Sequence, residues 1–134
     1  MTKSKHFAYL TVFAAAVALA ACTPADGGGS SAGLPDGRVD AGELQANVKG
    51  EATGQSCTDC HGADGNQPLD PTYPKIGGQY ADYLGHALQQ YRSGARDHSL
   101  MSNQAQGLTD QQIADLAAFF SSQPSQLRDL SGAY

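Results

Sequence analysis

Residues 57–61 of this chain read Cys57-Thr58-Asp59-Cys60-His61, and this stretch decides the fold. Two cysteines three positions apart, followed at once by a histidine, form the attachment signature of c-type haem. Each thiol would add across one haem vinyl group, and His61 would then offer a ring nitrogen to the iron. The alternatives are a disulfide or half of a zinc site. Zinc would need two further ligands from a second cluster, whereas the only other cysteine is Cys22. The pattern therefore predicts one covalently bound haem c.

The N-terminal segment has the organisation of an export signal. Lys3 and Lys5 give it a positive start, and residues 7–19 form an apolar stretch that is too short to span a bilayer. The stretch ends in Leu19-Ala20-Ala21-Cys22, which resembles a bacterial lipobox. The alternative is an ordinary signal peptide cleaved at the same small residues. We expect residues 1–21 to be a lipoprotein signal peptide and Cys22 to carry the lipid, which leaves no spare thiol in an oxidising compartment.

The charge balance of the chain is acidic. Its 134 residues carry a formal net charge of −5. Removal of residues 1–21 would take away two of the eight basic residues and none of the thirteen acidic ones, and would leave −7. Such a surface disfavours nucleic acid and anionic lipid headgroups. It favours a protein partner with a basic docking patch, unless the charge serves solubility alone.

The segment after Cys22 predicts a flexible tether. Residues 23–39 are rich in Pro, Gly, Ser and Asp, with Gly27-Gly28-Gly29-Ser30-Ser31 at their centre, and they show no apolar periodicity. We therefore assign residues 22–39 to a lipidated cysteine and tether. Residues 40–134 form the single folded domain.

Two helices are predicted in the first two thirds of this domain. The first spans about residues 42–56, where Leu44, Val48 and Ala52 recur at four-residue spacing. The second spans about residues 80–93. Its inward stripe is expected to be Tyr80, Leu84, Ala87, Leu88 and Tyr91, and Gly85, His86 and Gln89 fall on the other side.

The third predicted helix has the clearest boundaries. Thr109-Asp110-Gln111-Gln112 has the pattern of a capping box, and Leu108 with Ile113 has the spacing of a hydrophobic staple. An apolar stripe follows, and Pro124 ends the helix. No segment has a strand pattern of useful length. The expected fold is all-α, with three main helices and long loops wrapped around one haem.

The sixth ligand of the iron is expected from the loop between the second and third helices. Met101 is the only methionine outside the signal segment, and its soft thioether suits iron in both charge states. His98 lies in the same loop and is the rival, and an open position is the third alternative. His86 is expected to face water.

The chain resembles the class I cytochromes c, in particular the small bacterial cytochromes of the c-553 and c-4 kind. The resemblance implies an all-α fold in which the first and last helices cross. It implies His61 and Met101 as axial ligands, and a hydrogen bond from the second ring nitrogen of His61 to the carbonyl of Pro74. In di-haem relatives a second domain follows, whereas one haem is expected here. The matching segments are 57–66, 73–79, Tyr83-Leu84, 92–96, Met101, 107–110 and 113–120.

Further haem contacts are expected around the second helix. Arg96, and less so Arg92, could pair with haem propionates, because a guanidinium fork matches a carboxylate. Tyr80 and Tyr83 could donate hydrogen bonds there. Leu84 and Leu88 are expected among the haem-binding residues, as is Tyr80 by its helical phase. The alternatives are solvated arginines and tyrosines that merely pack.

The function expected from these features is one-electron transfer. An iron with six ligands has no free position for a substrate, so we expect a monomeric electron carrier and not an enzyme. We expect it on the periplasmic side of a bacterial membrane, held only by its lipid, or else soluble in the periplasm. A haem-based gas or redox sensor and a peroxidase-like enzyme, each with a vacant or labile distal site, are the alternatives. A cytochrome subunit dedicated to one dehydrogenase or oxidase is a third.

Overall fold

Every regular element that the computed structural model describes, over residues 32–128, is an α-helix. The all-α prediction is therefore confirmed. Helices α1, α3 and α5 correspond to the three predicted ones, and α2 and α4 are short additions. The helices are α1 (Val39–Ala46), α2 (Cys57–His61), α3 (Ala81–Ser93), α4 (Ser99–Ala105) and α5 (Asp110–Ser121).

Helix α1 differs from its prediction in both its length and its buried face. It begins at Val39 and ends at Ala46, and turns replace the helix expected up to residue 56. Leu44 is 75% exposed and Val48 is 52% exposed, so the predicted apolar stripe faces solvent. Gly42 and Ala46 are buried instead. The prediction was wrong because α1 packs through small residues, which an apolar stripe does not mark.

Helices α1 and α5 pack against each other, as the resemblance implied. A Cβ atom placed on Gly42 would lie only 2.0 Å from the carbonyl oxygen of Asp115 in α5. Ile113 and Leu116 of α5 are fully buried. Glycine thus lets the backbones of the two helices approach more closely than any side chain would allow.

Residues 32–38, which we call the strap, lie against α3 and α5. Leu34 is 5% exposed and packs with Ile113 and Ala114 of α5. The backbone N–H of Arg38 donates to Asp115 Oδ1 at 2.8 Å, and its Nη2 donates to Asp115 Oδ2 at 2.7 Å. The prediction of a free tether up to residue 39 is therefore wrong for the strap. It failed because one leucine and one arginine make these contacts, too few to show as a pattern.

The rest of the predicted tether, the signal peptide and Cys22 lie outside the described residues, as do residues 129–134. Within residues 32–128, none of the helices is long and apolar enough to cross a membrane.

The start of α5 agrees closely with the prediction from sequence. Thr109 caps α5, and its side chain and that of Gln112 form the predicted capping box. Leu108 packs against the cluster that contains Ile113, as a hydrophobic staple requires. In α3, however, Gly85 is buried and not outward facing, because Leu34 of the strap covers it.

Candidate haem site

Helix α2 consists of the attachment motif itself. Ser56 caps it and forms a capping box with Asp59. Lys49 forms an ion pair with Asp59, and this contact, with the N–H of Ser56, lowers the pKa of Asp59 to about 2. Thr58 donates to Asn47 Oδ1 at 2.9 Å. The two variable residues of the motif therefore fasten α2 to the segment that follows α1.

Cys57 and Cys60 are free, half-buried thiols that line one cavity. Burial raises the pKa of Cys57 to about 11, so this thiol is neutral at ordinary pH. Within residues 32–128, no group of three or more His, Cys, Asp or Glu side chains is arranged to chelate a free metal ion. Among these described residues, the motif therefore has no partner cluster of the kind that a zinc site needs.

His61 is buried, and its Nδ1 lies 2.9 Å from the carbonyl oxygen of Pro74. Because a carbonyl only accepts, Nδ1 carries the proton and Nε2 keeps its lone pair. Burial lowers the pKa of His61, and this effect outweighs the hydrogen bond with the Pro74 carbonyl, which raises the pKa. The ring is therefore a neutral imidazole of fixed tautomer, the form that ligates iron.

The cavity has a volume of about 470 Å³. Cys57, Cys60 and His61 of α2 line it, and so do Met101 and His98 from the region of α4. Apolar side chains from the loop before α3 and from the other helices complete its wall, among them Ile76, Leu84, Leu88, Leu100, Leu116 and Phe120.

Met101 lies on a helix and not in the predicted loop. Helix α4 begins directly after His98, whose ring nitrogen Nδ1 accepts from the N–H of Met101 at 3.4 Å. A seven-residue helix with few apolar residues has no clear periodicity, so no pattern predicted it. His98, the alternative candidate for the sixth ligand, thus caps the helix that carries Met101. His86 is exposed on α3, as expected.

The arginines separate into two roles. Arg96 lines the cavity, its guanidinium lies 4.8 Å from the centre of the Tyr91 ring, and a hydrogen bond with Tyr83 helps to raise its pKa. Arg92 instead donates to Asp110 at 2.6 Å and to the carbonyl of Leu108 at 2.8 Å. Arg92 therefore joins α3 to the start of α5, and the structure does not support a propionate contact for it.

Tyr80 lies apart from the other predicted haem-binding residues. It is 78% exposed and is not part of the cavity wall, whereas Tyr83 is. Tyr80 is the N-cap of α3, with ψ of 131°, so the helical phase used to predict its direction does not apply to it. The expectation that it points inward is wrong.

The lining of the cavity suits a haem in its chemistry. It is mostly apolar, and it brings together two thiols, a neutral imidazole and a thioether. Its lysine and arginine residues are Lys75 and Arg96, and among the described residues no Asp or Glu lines it. An apolar cavity with two cations on its wall matches an apolar ring that carries two carboxylates.

Fold and site together define a class I c-type cytochrome domain. The sequence profile of the family described as Cytochrome c matches residues 47–124, and the chain belongs to this family. It therefore carries one covalently bound haem c, and its function is electron transfer through that haem.

Similar proteins agree with this assignment. The chain is 49% identical to cytochrome c-554(548) of Halomonas halodenitrificans over 71 residues, which are 51% of this chain and 84% of that protein. It is 42% identical to cytochrome c4 of Pseudomonas aeruginosa over 55% of this chain, but it spans only 36% of that longer protein. It is 35% identical to the cytochrome subunit of sulfide dehydrogenase of Chlorobaculum tepidum, over 54% of this chain and 64% of that subunit.

The fold matches a solved structure of the same kind. The structure of cytochrome c4 from Acidithiobacillus ferrooxidans superposes with a TM-score of 0.57 at 28% identity, over 70% of this chain and 55% of that one.

Proposed function

We propose that this chain is a periplasmic one-electron carrier whose haem is attached to Cys57 and Cys60 and ligated by His61 and Met101. The observation that carries the proposal is the single cavity that all four side chains line. When bound, the haem supplies an iron that cycles between two oxidation states. A thioether together with an imidazole raises its reduction potential, which suits delivery of electrons to a terminal acceptor.

The protein's own residues perform four tasks in this proposal. The Pro74 carbonyl holds the His61 ring in one tautomer, so the ligating nitrogen needs no proton loss. Apolar walls exclude water from the cavity. Arg96, Lys75 and Tyr83 line the cavity and would hold the propionates, and Leu84 and Leu88 would pack against the ring. With both His61 and Met101 bound to the iron, no position would remain for a substrate, so the protein would carry electrons without catalysing a reaction at the iron.

Ligation by Met101 is tested by spectroscopy. The oxidised wild type is expected to show the weak far-red charge-transfer band of a methionine-ligated ferric haem. Met101→Ala should abolish this band, lower the reduction potential and let carbon monoxide bind the reduced form readily. Met101→Ala/His98→Ala is the cleaner comparison, because His98 is close enough to replace the lost ligand. A wild type that lacks the band and binds carbon monoxide fast would favour the sensor or peroxidase alternative.

Covalent attachment has its own test. Extraction with acidified acetone should leave the haem on the wild-type polypeptide, because thioether bonds survive it. Cys57→Ser/Cys60→Ser should release any haem that it binds. Free haem recovered from the wild type would refute the attachment.

Anchoring through a lipid on Cys22 is the proposed location, with the domain on the periplasmic side of the membrane. It rests on the lipobox resemblance and on the export signal before it. Cys22→Ser should release the domain into the soluble fraction or leave an unprocessed precursor. A mature wild type without added lipid mass would show that the protein is soluble in the periplasm.

Partners with a basic docking patch are proposed from the distribution of charge. Asp36, Asp40 and Glu43 are exposed on the strap and α1, whereas Lys75 and Arg96 are at the cavity. The acidic residues would thus steer a basic partner from a distance, whereas no Asp or Glu of the described residues lines the cavity itself. The rate of electron exchange with a cationic partner should fall as salt rises. A rate independent of salt would restrict the acidity to solubility.

A dedicated subunit of a dehydrogenase is the second candidate. The similarity to a protein named as a cytochrome subunit of sulfide dehydrogenase favours it. Co-purification of the untagged partner in constant ratio with the tagged cytochrome would support it. Recovery of the cytochrome alone, as a monomer, would support the free carrier.

A further inference from the structure

Helix α4, which bears Met101, is fastened to the segment before the attachment motif by one side chain. Gln104 lies three residues after Met101, so both lie on the same side of α4, and both line the cavity. The Nε2 group of Gln104 donates to the carbonyl of Gln55 at 2.9 Å. Its Oε1 accepts from the hydroxyl of Thr53 at 2.5 Å. A single glutamine thus joins α4 to residues 53–55.

The segment that Gln104 contacts is held by hydrogen bonds of its own and leads directly into α2. The N–H of Gly50 donates to the same carbonyl of Gln55 at 2.9 Å, and the N–H of Gln55 donates to Thr53 Oγ1 at 3.2 Å. Ser56 and Cys57 follow immediately. A displacement of α4 relative to Gln55 is therefore also a displacement of Met101 relative to the attached edge of the haem.

Gly50 permits this contact by having no side chain. A Cβ atom at Gly50 would lie 2.9 Å from Gln104 Oε1 and 3.0 Å from Gln104 Nε2. The amide of Gln104 therefore occupies the space that a side chain at position 50 would take. The arrangement is built from two segments about fifty residues apart, so no local pattern in the sequence could reveal it.

We propose that Gln104 is a positioning residue that keeps the Met101 thioether on the iron by locking α4 to residues 53–55. The proposal rests on the proposed ligation by Met101. The lock opposes the outward motion of α4 that must precede loss of the sixth ligand. It acts without touching the iron, and its strength sets how often the distal position opens.

The test measures opening of the distal position in the intact holoprotein. Carbon monoxide at saturating concentration binds the reduced form at a rate limited by departure of Met101. Gln104→Ala removes both hydrogen bonds, and we expect this limiting rate to rise about tenfold. When oxidised Gln104→Ala is heated, its far-red band should disappear well before the far-ultraviolet circular dichroism changes, because α4 opens while the remaining helices stay folded.

Two comparisons separate positioning from general stability. Gln89→Ala removes a similar hydrogen bond, to the carbonyl of Ala32 at 3.1 Å, at a site outside the cavity wall, and it should leave the limiting rate unchanged. Thr53→Val removes the hydroxyl that grips Gln104 and should raise the rate severalfold, whereas Thr53→Ser keeps the hydroxyl and should restore it. This pair decides the matter if Gln104→Ala does not fold.

The outcomes distinguish the lock from the proposal on which it rests. A wild type without the far-red band overturns ligation by Met101 and the lock together. A wild type with the band overturns the lock alone if Gln104→Ala and Thr53→Val bind carbon monoxide at the wild-type rate. The lock is equally overturned if Gln89→Ala raises the rate as much as Gln104→Ala does.

Discussion

Gly42→Ala should destabilise the protein although alanine is the better helix former. Gly42 lies where α1 packs against α5, and its missing Cβ would be 2.0 Å from the Asp115 carbonyl oxygen and 2.7 Å from the Phe119 Cβ atom. An ordinary contact begins at 3.4 Å. The nearest obstacle is backbone, which no side-chain rotation can remove. Helix α1 would therefore have to move away from α5 by about 1.4 Å.

The expected loss of stability follows from two opposing terms. Alanine favours the helix by about 1 kcal/mol relative to glycine. Overpacking costs ~1–3 kcal/mol, and the upper end applies because backbone atoms are in the way. A gap of about 1 Å also weakens the dispersion contacts of the other side chains between the two helices. The net effect is a loss of about 2 kcal/mol, equivalent to a fall in Tm of roughly 8–16 °C for a domain of this size.

The assay is thermal and urea unfolding of the holoprotein, followed by circular dichroism and by haem absorption. Gly107→Ala is the matched control, because a Cβ atom at Gly107 would meet nothing within 4 Å. This control should be neutral or slightly stabilising. Equal stability of Gly42→Ala and Gly107→Ala would contradict the close approach of α1 and α5.

Two further predictions concern the strap. Leu34→Ala should cost about 2–4 kcal/mol of unfolding free energy because it empties a buried site, whereas the exposed Leu44→Ala should change stability by less than about 0.5 kcal/mol; equal effects in urea titrations would contradict burial of the strap. Arg38 holds the pKa of Asp115 below its ordinary value, so their pairing stabilises the fold above the unfolded pKa of ~3.9 and is lost as the pH falls through the lower, folded value. Arg38→Gln should therefore be less stable than wild type at pH 7, with a difference that shrinks in acid, and a gap of constant size from pH 7 to pH 2 would contradict the pairing.

The parts of the site that could be predicted from sequence are those with short-range signatures. The attachment motif places Cys57, Cys60 and His61 within five residues, and covalent chemistry dictates their spacing. Met101 could be singled out because it is the only methionine after residue 1. How α4 is held in place is not visible in either of these sequence features. The lock by Gln104 and the capping by His98 depend on contacts between segments that the chain brings together only when folded.

The all-α class, the haem attachment and the start of α5 could be predicted from the sequence, because each depends on neighbouring residues and local backbone chemistry. The buried face of α1 emerges only from tertiary packing, since a glycine and an alanine form that contact and carry no hydrophobic signal. Tertiary packing alone decided that the strap belongs to the domain and that Arg92 pairs with Asp110 while Arg96 lines the cavity. These outcomes arise from the fit between surfaces that are distant in sequence, and composition and periodicity do not encode that fit.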